Sequence, residues 1–207
     1  MKTYKYKFRN KSLSRTQVKN NILAVLSLVD KDTFEVGKNW YNDANTFAQE
    51  IKSYDESYNL AQVIGVIAAL SPLKSWDLNK RLAFEFVLDG KRSGHTKLCV
   101  GKAKDILELS NPSVDEVVEI LKGQKIVNFF LNIYYPNKDA AITIDRHAVG
   151  IALIGTRKIK ITEEECGPTK AQFEFLVNCY KWAASELELS AVQLQAITWE
   201  QFRKIKK

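Results

Sequence analysis

The 207-residue chain is 45% apolar and has a formal net charge of +7, enough apolar content for one compact domain with a buried core. No stretch approaches the roughly 18 consecutive apolar residues of a membrane span, and the first residues are basic rather than apolar. We therefore expect a cytoplasmic protein rather than a membrane-embedded or exported one.

The N-terminal segment is strongly basic, because seven cations precede Asp30, the first acidic residue. They are Lys2, Lys5, Lys7, Arg9, Lys11, Arg15 and Lys19. Cations that neutralise DNA phosphates release counterions, so this segment favours a polyanionic partner, with a general solubilising charge as the alternative. Aromatic residues alternate with the first of these cations, which predicts an extended arm or edge strand within residues 1–13.

Apolar residues at helical spacing follow along most of the remaining chain and predict an all-α fold. The predicted helices are Arg15–Asp30, Asp43–Tyr54, Leu60–Leu70, Asp77–Leu88, Lys102–Leu109, Val114–Leu121, Lys125–Tyr135, Arg146–Ile154, Thr169–Leu187 and Ser190–Lys204. Ser14 and Asp145 are typical N-cap residues, and Pro72 ends the third helix. A turn or small hairpin is predicted around residues 155–165.

The cysteines do not predict a metal site or a disulfide. Cys99, Cys166 and Cys179 are odd in number and far apart, with no closely spaced pair. We therefore expect reduced thiols and a protein without a cofactor.

Residues 120–150, ILKGQKIVNFFLNIYYPNKDAAITIDRHAVG, are the most informative stretch for chemistry. A helix, a turn with a glycine and a second helix are followed closely by Asp145 at a further helix N-terminus. A turn of this kind directs backbone N–H groups at a phosphate, and the glycine permits close approach. This pattern predicts DNA binding that does not read the bases.

The same stretch resembles the signature of the HhH-GPD superfamily of DNA glycosylases, of the endonuclease III kind. Lys125 in GQKIVNFFLN stands where the lyase members have their Schiff-base lysine, and Asp145 in ITIDRH, 20 positions later, stands where the family has its catalytic aspartate. Upstream, VIGVIAALSPLKSWDLNKRLA is similar to the family's core helix and DNA-probing loop, and GKAKDI to the helix that leads to the hairpin. The resemblance implies a two-lobed helical bundle with a helix-hairpin-helix motif over residues 114–135.

Each catalytic assignment has a plainer alternative. Asp145 would stabilise the positive charge that develops on the sugar as the glycosidic bond breaks, or it would only cap a helix. Lys125 would attack the sugar as a neutral amine, provided that burial or a nearby cation removes its proton, or it would only bind phosphate.

The other candidate residues are those that the resemblance places against DNA. They are Lys122, Gly123 and Gln124 in the hairpin, Arg146 and His147 beside Asp145, and Ser71, Leu73, Lys74 and Trp76 in the probing loop. Leu73 or Trp76 would fill the gap left by a flipped base, while core packing remains the alternative for Trp76, as it does for His147. In the last helix, Gln193, Gln195 and Trp199 would bind the base or simply pack.

Two features depart from the family pattern. Gly123 is the only glycine in a hairpin that usually has two, which predicts a tighter turn. Residues 167–207 contain only Cys179, so the four-cysteine iron–sulfur cluster of the endonuclease III branch is excluded on ligand count. The chain is also similar to small phage-encoded proteins that share the ALSP and TIDRHA stretches.

These resemblances imply a monomeric DNA glycosylase with AP lyase activity, which acts in a bacterial host cell and flips an altered base out of double-stranded DNA. Two alternatives stay open. One is a phage enzyme that hypermodifies thymine on the flipped base and leaves the glycosidic bond intact. The other is a non-catalytic DNA-binding module.

Overall fold

The computed structural model describes residues 5–9, 11–139 and 141–205. These residues form ten α-helices, a short 3-10 helix and one two-stranded sheet, which confirms the predicted all-α class. The chain divides into two compact units. Unit 1 contains the residues up to Trp40 and those from Ile142 onward, and unit 2 contains Tyr41–Ala141.

The elements follow in chain order. They are β1 (Tyr6–Phe8), β2 (Lys11–Leu13), α1 (Arg15–Leu26), α2 (Lys31–Tyr54), α3 (Leu60–Ala69), α4 (Trp76–Val87), α5 (Lys97–Leu107), α6 (Val114–Leu121), α7 (Gln124–Tyr134), α8 (Arg146–Ile154), the 3-10 helix (Glu164–Cys166), α9 (Lys170–Ala184) and α10 (Ala191–Ile205). The boundary between the units falls inside α2. Among the described helices, none has the length and apolar character that crossing a membrane requires.

Unit 1 is built around α1 and α10. Helix α1 contacts α8, α9 and α10, and α10 also contacts α8 and α9. Gly37 of α2 meets the backbone of α10 directly, because a Cβ at this position would lie only 2.4 Å from Ile197 Cα. The absence of a side chain at Gly37 therefore allows the N-terminal half of α2 to pack against α10.

The N-terminal strands form an antiparallel hairpin in which Tyr6 pairs with Leu13. Tyr6, Phe8 and Leu13 are buried, whereas Lys5 and Lys7 are exposed. The extended conformation predicted for this segment is confirmed over Tyr6–Phe8, while Lys2 lies outside the described residues. The apolar side of the strand thus belongs to the core of unit 1.

Among the N-terminal cations whose side chains the structure describes, Arg9 and Lys19 have acidic partners that follow far along the chain. The Arg9 guanidinium donates to Glu165 at 2.6 Å and to the Lys160 carbonyl at 2.7 Å. The Lys19 ammonium donates to Glu186 at 2.7 Å. The charges of these two residues are therefore paired in the fold, although no acidic residue is near them along the chain.

Unit 2 is built around α3, which contacts α4, α5, α6 and α7. Every residue from Ala61 to Ala69 is buried. A Cβ on Gly65 would lie 2.8 Å from the Val117 side chain, so this glycine allows α6 to approach closely. Gln62 is also buried, and its amide donates to the Leu109 carbonyl at 2.9 Å just beyond the end of α5.

Several element boundaries differ from those predicted. Helix α2 begins at Lys31 rather than Asp43, α5 begins at Lys97 rather than Lys102, and α1 ends at Leu26 rather than Asp30. Residues 155–165 contain the predicted turn, closed by the Arg157 N–H and the Ile154 carbonyl at 3.1 Å, then the start of a 3-10 helix and no strand.

Candidate active site

Asp145 is the N-cap of α8, as the sequence predicts. Its backbone is extended, with φ −95° and ψ −177°, and its Oδ1 accepts a hydrogen bond of 2.8 Å from the Ala148 N–H. The residues before it, Ile142 and Ile144, are buried, and so is every residue of α8 from Ala148 onward. The carboxylate is thus attached to a rigid, buried element and is itself half-buried.

The second oxygen of this carboxylate is held by α10. The Trp199 Nε1–H donates to Asp145 Oδ2 at 3.0 Å. Trp199 packs edge-to-face against Trp40 of α2 and His147 of α8, with ring centroids 6.1 and 5.8 Å apart. Two donors from different elements therefore hold both oxygens, and each oxygen retains acceptor capacity toward a ligand.

Trp199 is also covered by a cation. The Arg203 guanidinium lies 4.6 Å from the centre of the Trp199 ring, within range of a cation–π interaction. Arg203 also pairs with Glu200 at 3.6 Å. These contacts, together with Trp40, fix the indole that holds Asp145. Trp40 was not predicted from the sequence, since it is not near Asp145 along the chain, and Arg203 stood out there only as one of the basic residues near the C-terminus.

Tyr180 lies behind this site in the core of unit 1. Its hydroxyl donates to the Ala148 carbonyl at 3.3 Å. Burial raises the pKa of Tyr180 strongly, a hydrogen bond with Thr198 opposes that shift, and the charge of Asp145 raises the pKa further. The phenol therefore stays protonated and supports the start of α8, rather than exchanging protons.

Arg146 and His147 differ in accessibility. Arg146 is exposed, as a phosphate contact requires, whereas His147 is half-buried and its ring packs against Phe202 as well as Trp199. The nearby Cys166 Sγ lies 4.0 Å from the Arg146 carbonyl, and burial raises the pKa of its thiol. Cys166 is therefore not an activated nucleophile.

Lys122 and Gly123 form the whole linker between α6 and α7, with φ of 48° and 79°. A Cβ on Gly123 would meet nothing within 4 Å, so the backbone conformation, not lack of space, favours glycine here. Side-chain oxygens cap the other nine described α-helices, but no side chain caps α7. Of the N–H groups in its first turn, that of Ile126 bonds to the Gly123 carbonyl at 3.1 Å, which leaves those of Gln124 and Lys125 for another acceptor.

Lysines surround this linker. Lys122 and Lys125 are exposed, as is Gln124. The Lys102 ammonium of α5 donates to the carbonyl of Leu121, the last residue of α6, and thereby supports the linker from behind. The sequence places Lys102 on a helix and in GKAKDI, but it does not predict the contact of Lys102 with α6.

The two predicted catalytic residues belong to different units. Asp145 lies in unit 1 with His147 and Trp199, whereas Lys125 lies in unit 2 on the first turn of α7. Because Lys125 is exposed, burial does not supply the condition that its role as a neutral nucleophile requires.

The loop between α3 and α4 presents Leu73 to solvent. The Lys74 N–H donates to the Ser71 carbonyl at 3.3 Å and closes a turn in which Leu73 has φ 59° and is 85% exposed. Trp76 is half-buried, with its ring 6.1 Å from that of Phe47. The accessible apolar side chain of this loop is thus Leu73, while Trp76 packs.

The two glutamines predicted as candidates in the last helix differ in their surroundings. The Gln193 side chain accepts from the Ser190 N–H at 3.0 Å in the cap of α10, and Gln195 is buried. Trp199 is the last-helix candidate whose hydrogen bond to Asp145 is described above.

The three cysteines are free thiols. In the part of the chain that the structure describes, no three His, Cys, Asp or Glu side chains come together as they would around a metal ion. No curated protein and no solved structure matches this chain. A family model described as a family of unknown function (DUF7178) matches residues 5–206, and because this is nearly the whole chain, the protein belongs to that family.

Proposed function

We propose that this protein is a DNA glycosylase of the HhH-GPD kind, which excises an altered base from double-stranded DNA. The observation that carries the proposal is the Asp145 carboxylate, which is held by Ala148 and Trp199 yet is only half-buried. Cleavage of a glycosidic bond develops positive charge on the sugar. A negative group fixed in advance stabilises that charge without having to reorganise.

The α6–α7 linker is the proposed helix-hairpin-helix element. The uncapped start of α7 would bind a DNA phosphate through backbone N–H groups, and Lys122 would add positive charge. Such contacts position a protein on DNA without reading its sequence. Leu73 would fill the gap left by the flipped base, since it is apolar and almost fully exposed.

Lys125 is the proposed nucleophile of an AP lyase step. Its neutral amine would attack the sugar C1, and the base would leave with the electrons of the glycosidic bond and one proton of the amine. The sugar ring would then open as its oxygen takes the second proton of the amine, which leaves an imine between Lys125 and C1. The exposure of Lys125 favours a second candidate that relies on Asp145 without an imine. In that candidate the enzyme modifies the flipped base, and Lys125 only binds phosphate.

Mass spectrometry of products from duplexes that contain uracil, 5-hydroxymethyluracil, 8-oxoguanine or an alkylated purine tests the proposal. The wild type should release free base from one of them. Asp145→Asn should raise the barrier to release by about 2–4 kcal/mol, as for loss of a positioned electrostatic group, while DNA binding remains. Asp32→Asn, which removes an exposed charge from the first turn of α2, is the matched control.

The outcomes separate the candidates. Base release by Asp145→Asn at the wild-type rate would contradict the central assignment. Borohydride should trap a covalent complex with the wild type but not with Lys125→Ala. A base of altered mass within an intact strand, with no free base, would favour the modifying enzyme.

A further inference from the structure

The loop between α4 and α5 contacts the turn that presents Leu73, and it does so through His95. The Thr96 N–H donates to His95 Nδ1 at 2.7 Å, so Nδ1 carries no proton. The proton therefore sits on Nε2, which lies 2.8 Å from the Pro72 carbonyl and donates to it. One half-buried imidazole thus joins two separate stretches of backbone within unit 2.

This loop is itself anchored on α4. The Arg92 guanidinium donates to the Phe86 carbonyl and lies 4.2 Å from the centre of the Phe86 ring. Gly94 has φ 92°, and a Cβ there would lie 2.6 Å from a methyl carbon of Leu82. The loop therefore rests closely on α4 and offers His95 from a fixed base.

The turn that His95 reaches has an unfavourable backbone. Pro72 suits its second position, but the third position has positive φ, which favours glycine and is occupied by Leu73. A single long hydrogen bond of 3.3 Å, from the Lys74 N–H to the Ser71 carbonyl, closes it. A strained conformation of this kind persists only when its surroundings hold it in place.

We propose that His95 is a positioning residue that holds this turn so that Leu73 is fixed in a projecting conformation. The proposal rests on the proposed function, in which Leu73 enters the DNA base stack. A side chain that is already fixed loses less conformational freedom when it inserts, so the hydrogen bond to Pro72 favours base flipping without touching DNA.

Amide hydrogen exchange tests the contact without any DNA. His95→Phe keeps a ring but removes the donor, whereas His95→Gln places an N–H at a similar reach. Exchange at the Lys74 amide should become roughly 3- to 10-fold faster in His95→Phe, as for loss of one hydrogen bond, and His95→Gln should restore it. Ser93→Ala, an exposed site in the same loop, is the control. Unchanged exchange in His95→Phe would overturn the proposal.

Base flipping is then measured by fluorescence of 2-aminopurine placed opposite a tetrahydrofuran abasic site, at saturating protein. His95→Phe and Leu73→Ala should each lower the fluorescence rise, and the double variant should equal Leu73→Ala alone, because His95 acts through Leu73. If the two single-variant losses of fluorescence instead add up in the double variant, the view that His95 acts through Leu73 would be overturned. A wild type that gives no rise would overturn the base-flipping function and the insertion of Leu73, while Lys74 exchange still decides whether His95 holds the turn.

Discussion

Replacing Asp145 by asparagine should reveal the free energy that its contact with Trp199 contributes. The amide oxygen of the introduced asparagine would still cap α8, so the bond to the Ala148 N–H should survive. The amide NH₂ would then take the place of Oδ2 and face the Trp199 N–H, so that two donors meet. Hydrogen bonds to charged groups contribute about 1.5–3 kcal/mol, and half-burial lets water replace part of this. We therefore expect Asp145→Asn to lower the free energy of unfolding by about 1–2 kcal/mol.

Trp199→Phe removes the indole donor and keeps an aromatic ring beside Trp40. Trp199→Phe alone should lower the free energy of unfolding by a similar amount. In the Asp145→Asn background it should lower it by less, because it removes the indole N–H that opposes the amide NH₂. The double-mutant cycle, measured by urea unfolding followed by circular dichroism, should show coupling of about 1–2 kcal/mol. Costs that add to within about 0.5 kcal/mol would refute the view that Trp199 holds this carboxylate.

Three further predictions follow from other contacts. Gly37→Ala should destabilise unit 1 by about 2 kcal/mol or more in urea unfolding, because its Cβ would collide with the backbone of α10. Gly101→Ala in α5 is the control, since its Cβ would meet nothing within 4 Å, and it should stabilise the protein by about 0.5–1 kcal/mol. If the β1–β2 hairpin binds DNA, replacing exposed Lys5 and Lys7 with Gln should make the log–log salt dependence of affinity shallower by about 0.9 per lost phosphate contact, and an unchanged slope would exclude the contact. The hydrogen bond from its arginine partner lowers the pKa of Glu165 to about 2 from an ordinary value of 4.5, so the stability that this pair contributes is present above pH 4.5 and is lost as the pH falls towards 2. Glu165→Gln should therefore make the free energy of unfolding less dependent on pH over that range. A pH profile identical to that of the wild type would contradict the pairing.

The sequence predicts helices well where a capping residue precedes dense apolar spacing. Val114–Leu121 and Arg146–Ile154 have the predicted bounds, and Ser113 and Asp145 cap them. The first half of α2 was missed for a physical reason. Its buried face there uses Gly37 in backbone contact with α10, and a glycine within a polar stretch does not resemble a helix face.

The candidate site likewise has one contact that local sequence predicts and others that it does not. The cap formed by Asp145 depends on an N–H three residues further on, so local sequence predicts it. Its contact with Trp199 spans 54 positions, and that of Pro72 with His95 spans 23, so each depends on how helices and loops pack. His95 in particular lies in an irregular loop, where periodicity carries no information.

The order of the two units along the chain determines the order in which they can form during synthesis. Unit 2 is one continuous stretch that ends at Ala141, so all of its chain has left the ribosome before unit 1 is complete. Helix α1 is made first, yet its partners α8, α9 and α10 are made last. Its buried residues, Val18, Ile22 and Val25, therefore stay uncovered through most of translation. A chain released before Trp199 would carry the α6–α7 linker without the completed carboxylate site.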